Sequence, residues 1–202
     1  MSRPTTRGVV LAGGLSRRFA GGPKALATLD DDPLVVHVAR AVRAATGPPP
    51  AVAVRGPDQR TALGAVLGDA AFVEDDPEFE GPLAGVVGAA RALSEPWLFV
   101  CGCDMPLLAP AAVGWLLDRA AGDAVVVTED GVVQPTHALY RREAVCRVAP
   151  DLPRDGGVRA LVGALDDVAR HPVGAGAGVG LASSLANVNT RADLRALRER
   201  DG

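Results

Sequence analysis

Short apolar runs alternate along this chain with longer segments in which apolar residues recur every three or four positions. Gly8–Ala12, Ala51–Val54, Ala70–Val73, Trp97–Cys101 and Ala124–Thr128 are continuous enough to read as strands covered on both faces. Between the first two, Leu34, Val35, Val38, Ala41 and Val42 fall on one helical stripe. Asp31-Asp32-Pro33 reads as the start of that helix, an acidic cap with proline in the first turn, and Gly47-Pro48-Pro49-Pro50 ends it. Gly56-Pro57-Asp58 opens a helix to about Leu67. Gly81-Pro82 opens a small-residue helix to Leu93, and a further helix covers Pro110–Ala121. Five such alternations predict an α/β fold: three layers, Rossmann-like, with a mostly parallel sheet and helices on both faces.

After Gly131 the pattern loosens. Val132-Val133 and Thr136–Tyr140 read as short strands in an antiparallel excursion, Arg141–Val148 and Val158–Leu165 as helices, and Val168–Val173 as a late strand. Gly174–Gly180 reads as a flexible glycine-alanine loop. A last helix follows, capped by Asn189 or Thr190. No repeat or linker divides the 202 residues, so one domain is expected.

Composition narrows the picture at three points. Aromatic residues make up 3% against 48% hydrophobic, so the core is built from valine, leucine and alanine. A net charge of −3 argues against a general affinity for nucleic acid or an anionic membrane, and no apolar run approaches the ~18 residues of a membrane span. Three cysteines, at 101, 103 and 146, make no disulfide framework, and residues 1–7 lack the apolar core of a secretory signal. A reducing cytoplasm is the expected home.

The densest chemistry follows the first strand. Gly13-Gly14, then Ser16-Arg17-Arg18, a second glycine pair at 21 and 22, and Pro23-Lys24 form a loop that offers backbone N–H groups and three cations to a polyphosphate. It is not a P-loop, because Ala25 stands where the magnesium-binding hydroxyl belongs, and the dinucleotide fingerprint is absent as well. Ligands of open α/β sheets sit beyond the carboxyl ends of the strands, where Asp75 and Asp104 also fall. Asp104 there suits Mg²⁺ shared with substrate phosphates, and Asp75 suits a base or ribose or else belongs to a solvated acidic turn. Cys101-x-Cys103 lacks two further ligands for zinc, and His37, His137 and His171 complete no nucleophilic triad.

With those residues assembled, the chain resembles the molybdenum cofactor guanylyltransferases, a branch of the nucleotidyltransferases. The resemblance rests on Leu11-Ala12-Gly13-Gly14-x-Ser16-x-Arg18-Phe19 with Lys24, and on Gly81-Pro82-Leu83-Ala84-Gly85. It rests equally on Cys103-Asp104-Met105-Pro106 and on Asn187-Val188-Asn189-Thr190-x-x-Asp193-Leu194. It implies transfer of GMP from GTP to the terminal phosphate of a molybdopterin-type molybdenum cofactor, with release of pyrophosphate and with Mg²⁺ as cofactor. By the same resemblance Leu11, Ala12, Gly13 and Gly14 contact the nucleotide, Lys24 its phosphates, Asp75 the guanosine, and Asp104 the Mg²⁺, while charge neutralisation calls for Arg17 or Arg18 beside Lys24 on the departing pyrophosphate. Asn189 approaches the metal from the far side. Residues 8–128 form the nucleotide half and 129–202 the acceptor half, with Arg141 and Arg159 as phosphate partners. The family carries an asparagine after the second strand, where this chain reads Ala53-Val54-Arg55-Gly56. Cytidylyl transfer, guanylyl transfer to a phospholactate or cobinamide phosphate, and an idle nucleotide-binding adaptor for molybdoenzyme maturation proteins stay open at this stage.

Overall fold

The computed structural model describes residues 3–14, 19 and 23–199. Its strands are β1 (Thr6–Leu11), β2 (Thr28–Leu29), β3 (Asp32–Pro33), β4 (Ala51–Val54), β5 (Ala71–Glu74), β6 (Trp97–Gly102), β7 (Ala124–Glu129), β8 (Val132–Arg141) and β9 (Val168–Pro172). Its helices are α1 (Leu34–Thr46), α2 (Pro57–Leu67), α3 (Gly81–Ala92), α4 (Pro110–Leu117), α5 (Arg142–Val148), α6 (Gly157–Ala164), α7 (Leu181–Ser184) and α8 (Arg191–Arg198).

Seven strands form one sheet in the order β5-β4-β1-β6-β8-β7-β9, and β2 pairs with β3 as a separate hairpin. Strands β5, β4, β1 and β6 run parallel, β9 runs parallel to β7, and β8 is antiparallel to both its neighbours. Alternation along each strand sends Val10, Val52, Phe99, Cys101, Val125 and Leu139 to one face, packed under α1, α4 and α7. Val9, Ala53, Leu98, Val100, Val126 and Tyr140 fill the other face, under α3, α5 and α6. The three-layer α/β expectation holds. Helices α2, α3 and α4 each carry proline in the first turn, where a missing N–H costs nothing.

The order matters for function. From β1 the chain steps outward to β4 and β5, then returns through α3 to β6 on the other side of β1. Two crossovers therefore diverge at the β1–β6 boundary, opening a crevice beyond Leu11 and Gly102.

Four local expectations are corrected. Asp31 and Asp32 do not cap α1. Asp30 and Asp31 take positive φ (47° and 70°) as the two-residue turn of the β2–β3 hairpin, and Asp32 pairs with Arg40. The two short strands after Gly131 are one strand, β8, whose pairing with β7 shifts register between Val126 and Val127. The helix begun at Pro110 stops at Leu117. Gly174–Gly180 is not an open loop. It lies within packed 3₁₀ turns over Val173–Val179, with Gly176 buried against Leu181. Thr190 caps α8 as expected, in a reciprocal capping box with Asp193.

His137 is the anomaly of the core. It is fully buried on β8, edge-on to Phe99, and neither ring nitrogen has a hydrogen-bond partner among the described residues. Burial lowers its pKa to about 4. Between that value and the ordinary 6.5 the unfolded chain holds the extra proton, so stability falls as pH drops through this window, by about 3 kcal/mol in full. Thermal unfolding followed from pH 7 to pH 4.5 should show that loss, and His137→Leu should flatten it. An equal slope in both proteins would remove His137 as its source.

Candidate active site

The crevice is assembled from strand ends. Beyond β1, Ala12 N–H donates to Ala53 O at 3.0 Å and keeps Ala12-Gly13-Gly14 on the line of the sheet. Cys103 N–H donates to Leu11 O at 3.1 Å, and Asp75 N–H to Val54 O at 2.8 Å, so each strand exit is tied to its neighbour. Asp75 and Asp104 consequently face one cleft of about 260 Å³ from opposite sides of Gly13. Leu11, Gly14, Lys24, Gly81, Pro82 and Gly85 form part of its wall.

Asp75 is held by two glycines. A Cβ on Gly13 would stand 2.1 Å from Asp75 Oδ2, and one on Gly85 would stand 3.2 Å from Oδ1. The absence of side chains at both positions is what admits the carboxylate. Burial raises the Asp75 pKa, with the charge of Arg55 acting against it. The acidic run Glu74-Asp75-Asp76 thus divides by role. Asp76 faces inward, accepting from Arg91 at 2.5 Å and from Glu78 N–H at 3.0 Å, and fixes the turn into α3. Asp75 belongs to the cleft.

Lys24, Asp104 and Asn189 meet on the other side. The Lys24 ammonium donates to Asp104 Oδ2 at 2.6 Å and to Asn189 Oδ1 at 3.3 Å. Val188 N–H donates to Asp104 O at 2.8 Å, which brings the Asn187–Thr190 segment to the end of β6. Asp193 Oδ2 accepts from the N–H groups of both Asn189 and Thr190 at 2.8 Å, so the helix cap of α8 also sets the direction of Asn189. The Lys24 and Asp104 side chains are 17% and 20% exposed, enough shielding to strengthen their attraction over that of a surface pair. A cation already lies between a carboxylate and an amide oxygen here.

Of the sequence candidates, Leu11, Ala12, Gly13, Gly14, Lys24, Asp75 and Asp104 all line the cleft. Arg18 lies outside the described residues. Arg141 does not reach the site. Its guanidinium donates to Gly122 O at 2.7 Å and lies over Trp97, the residue that begins β6 at the far end of the sheet. Burial lifts both Cys101 and Cys103, the latter to about 12, so these thiols stay protonated and pack as small apolar groups.

Two cleft residues, Gln59 and Thr136, had no sequence signal as site residues, and a third, Asn187, had one only as part of the Asn187–Leu194 motif. Gln59 Nε2 donates to Ala12 O at 2.5 Å while its Oε1 accepts from Arg55 N–H at 2.9 Å, bracing the glycine turn against α2. A glutamine on an exposed helix announces nothing of this. Thr136 arrives because β8 runs antiparallel and presents its start to the rim, and Asn187 because its segment is tied to Asp104.

These features have known counterparts. The sequence profile of the MobA-like NTP transferase domain matches residues 8–170. The chain belongs to the MobA-like NTP transferase family. Among its relatives, a molybdenum cofactor guanylyltransferase of Burkholderia ambifaria is 37% identical over 147 residues, covering 68% of this chain and 71% of the relative. A probable molybdenum cofactor guanylyltransferase of Haloferax mediterranei is 34% identical across 96% of this chain and 93% of its own. The crystal structure of molybdopterin-guanine dinucleotide biosynthesis protein A from Archaeoglobus fulgidus superposes with a TM-score of 0.79, covering 96% and 98% of the two chains at 24% identity, which establishes the shared fold. This MobA-like chain is therefore a nucleotidyltransferase, and among its described residues no helix is long and apolar enough to cross a membrane.

Gly13→Ala tests the close approach at Asp75. The added methyl would displace the carboxylate, so nucleotide affinity measured by calorimetry should fall at least about tenfold, a loss of about 1.4 kcal/mol, while circular dichroism stays native. Wild-type affinity in this variant would separate the Gly13–Asp75 contact from nucleotide binding.

Proposed function

We propose that this protein transfers GMP from GTP to a molybdopterin-type molybdenum cofactor, forming the guanine dinucleotide cofactor and pyrophosphate. The observation that carries the reading is the convergence of Lys24, Asp104 and Asn189 across one cleft from the Gly13–Asp75 pocket. The names of the two relatives support it, and the one from Haloferax mediterranei aligns over nearly the whole chain.

The glycine turn Leu11–Gly14 gives the nucleotide a wall without side chains, and Asp75 offers acceptors for guanosine. Lys24 binds the phosphates, joined by Arg18 from the same glycine-rich stretch of sequence. Oxygen donors from Asp104 and Asn189 already hold one cation, the Lys24 ammonium, and their chemistry fits Mg²⁺. Asp104 would hold the ion, which supplies charge neutralisation at the transferring phosphoryl group. An arriving triphosphate presents Lys24 with several anionic oxygens at once and so releases Asp104 Oδ2 from the ion pair. In-line displacement asks the protein for positioning and charge stabilisation, and no covalent group is needed. Residues 129–202 form the acceptor half. The start of β8 at the rim and Arg159 on α6 are its candidates for meeting the molybdopterin phosphate. The protein works in the cytoplasm on this reading and passes its product to molybdoenzyme maturation proteins.

Pyrophosphate release should appear with Mg²⁺, GTP and a molybdopterin-type acceptor, and not with CTP or ATP. Lys24→Ala and Asp104→Ala should each lower kcat/KM about 10²-fold or more, close to 3 kcal/mol of transition-state stabilisation, without lowering folded content. Release with CTP would move the protein to cytidylyl transfer. Wild-type rates in both variants would remove the two residues from the mechanism.

A further inference from the structure

Several exposed arginines are neutralised by a carboxylate: Arg3 by Asp118, Arg40 by Asp32, Arg43 by Asp69, Arg147 by Asp123 and Arg154 by Glu80. Arg191, Arg195 and Arg198 are spaced at i, i+4 and i+7 on α8, so they share one face, and all three line a groove of about 400 Å³ between α8 and residues 23–28. Among the described residues, no Asp or Glu contributes to that lining. Among the described residues, Arg195 and Arg198 have no carboxylate within ion-pair distance, and Arg198 donates instead to Thr28 O at 2.6 Å. The bond to Thr28 pins that guanidinium over the groove mouth. At the other end Arg191 lies over the ring of Phe19, 5.6 Å from its centroid. Leu194 forms the apolar floor, buried with Phe19 in a small cluster of its own.

We propose that this groove is a second phosphate-binding site, separate from the nucleotide cleft. A chain of net charge −3 that gathers guanidinium groups around a cavity whose described lining holds no carboxylate has built local affinity for an anion. Guanidinium forks match phosphate oxygens in pairs. The ring of Phe19 and the side chain of Leu194 add an apolar surface that suits an organic body attached to the phosphate. Pro23 lines both the groove and the cleft, so the two sites stand on either side of one residue. The groove's ligand is thus an inorganic diphosphate or a phosphate monoester carrying a ring, and the site stands whichever nucleotide or acceptor the cleft takes.

Calorimetry on the full chain, with pyrophosphate and phenyl phosphate as probes, tests this directly. Lys24→Met removes the ammonium of the cleft, so binding that persists in this variant comes from elsewhere. In that background Arg195→Gln with Arg198→Gln should weaken the probe at least tenfold, and Arg195→Gln alone, which breaks no contact among the described residues, should weaken it in the same direction. Thermal unfolding of each variant reports whether α8 remains docked. A stronger response to pyrophosphate identifies an inorganic ligand, and a stronger response to phenyl phosphate identifies an organic monoester. Binding that disappears with Lys24→Met alone, binding unchanged by the α8 substitutions, or no binding of either probe overturns the proposal.

Discussion

A single ammonium group ties together parts of the chain that sequence keeps far apart. Lys24 reaches Asp104 across 80 residues and Asn189 across 165. The first comes from the turn after β1, the second from the end of β6, the third from the segment before α8. Their meeting point exists because β1 and β6 are neighbours and the chain reverses its direction of growth between them. The glycine turn, the wedged Asp75 carboxylate and the Gln59 brace are arranged around that boundary. The ion pair also keeps the half-buried Asp104 carboxylate from facing the cleft as an uncompensated charge.

Much of this architecture is legible in the residue pattern because its strands are buried on both faces. Ala51–Val54 and Trp97–Cys101 leave no ambiguity of period, and proline marks the starts of α2, α3 and α4. The cleft residues were legible for a related reason. Glycine pairs and aspartates immediately after such strands can fall nowhere but the carboxyl rim.

What escaped the sequence depends on partners that local pattern does not encode. The turn at Asp30-Asp31 imitates a helix start, since aspartate serves both caps and left-handed turns. β8 looked like two pieces because Gln134-Pro135 interrupts its apolar run, near the place where its pairing shifts against β7. The Gly174–Gly180 stretch is loop-like in composition, yet the bulk of Leu181 fits against Gly176 and fixes it. Arg141 read as an anion partner, and orientation alone decided otherwise: β8 carries it away from the rim to Trp97.

The capping box of α8 has a consequence for how the enzyme would fail. Asp193 holds the backbone of both Asn189 and Thr190, so the same carboxylate that starts the helix also aims a cleft side chain. A helix frays from its ends inward, and Arg198 marks the end of α8 remote from the box. Loosening that runs back along α8 leaves the cleft intact while the box holds, because Leu194 and the box lie between the frayed end and Asn189. Once it reaches the box, cap and cleft are lost together. Gradual warming would accordingly leave activity level at first and then end it abruptly, ahead of the melting of the sheet.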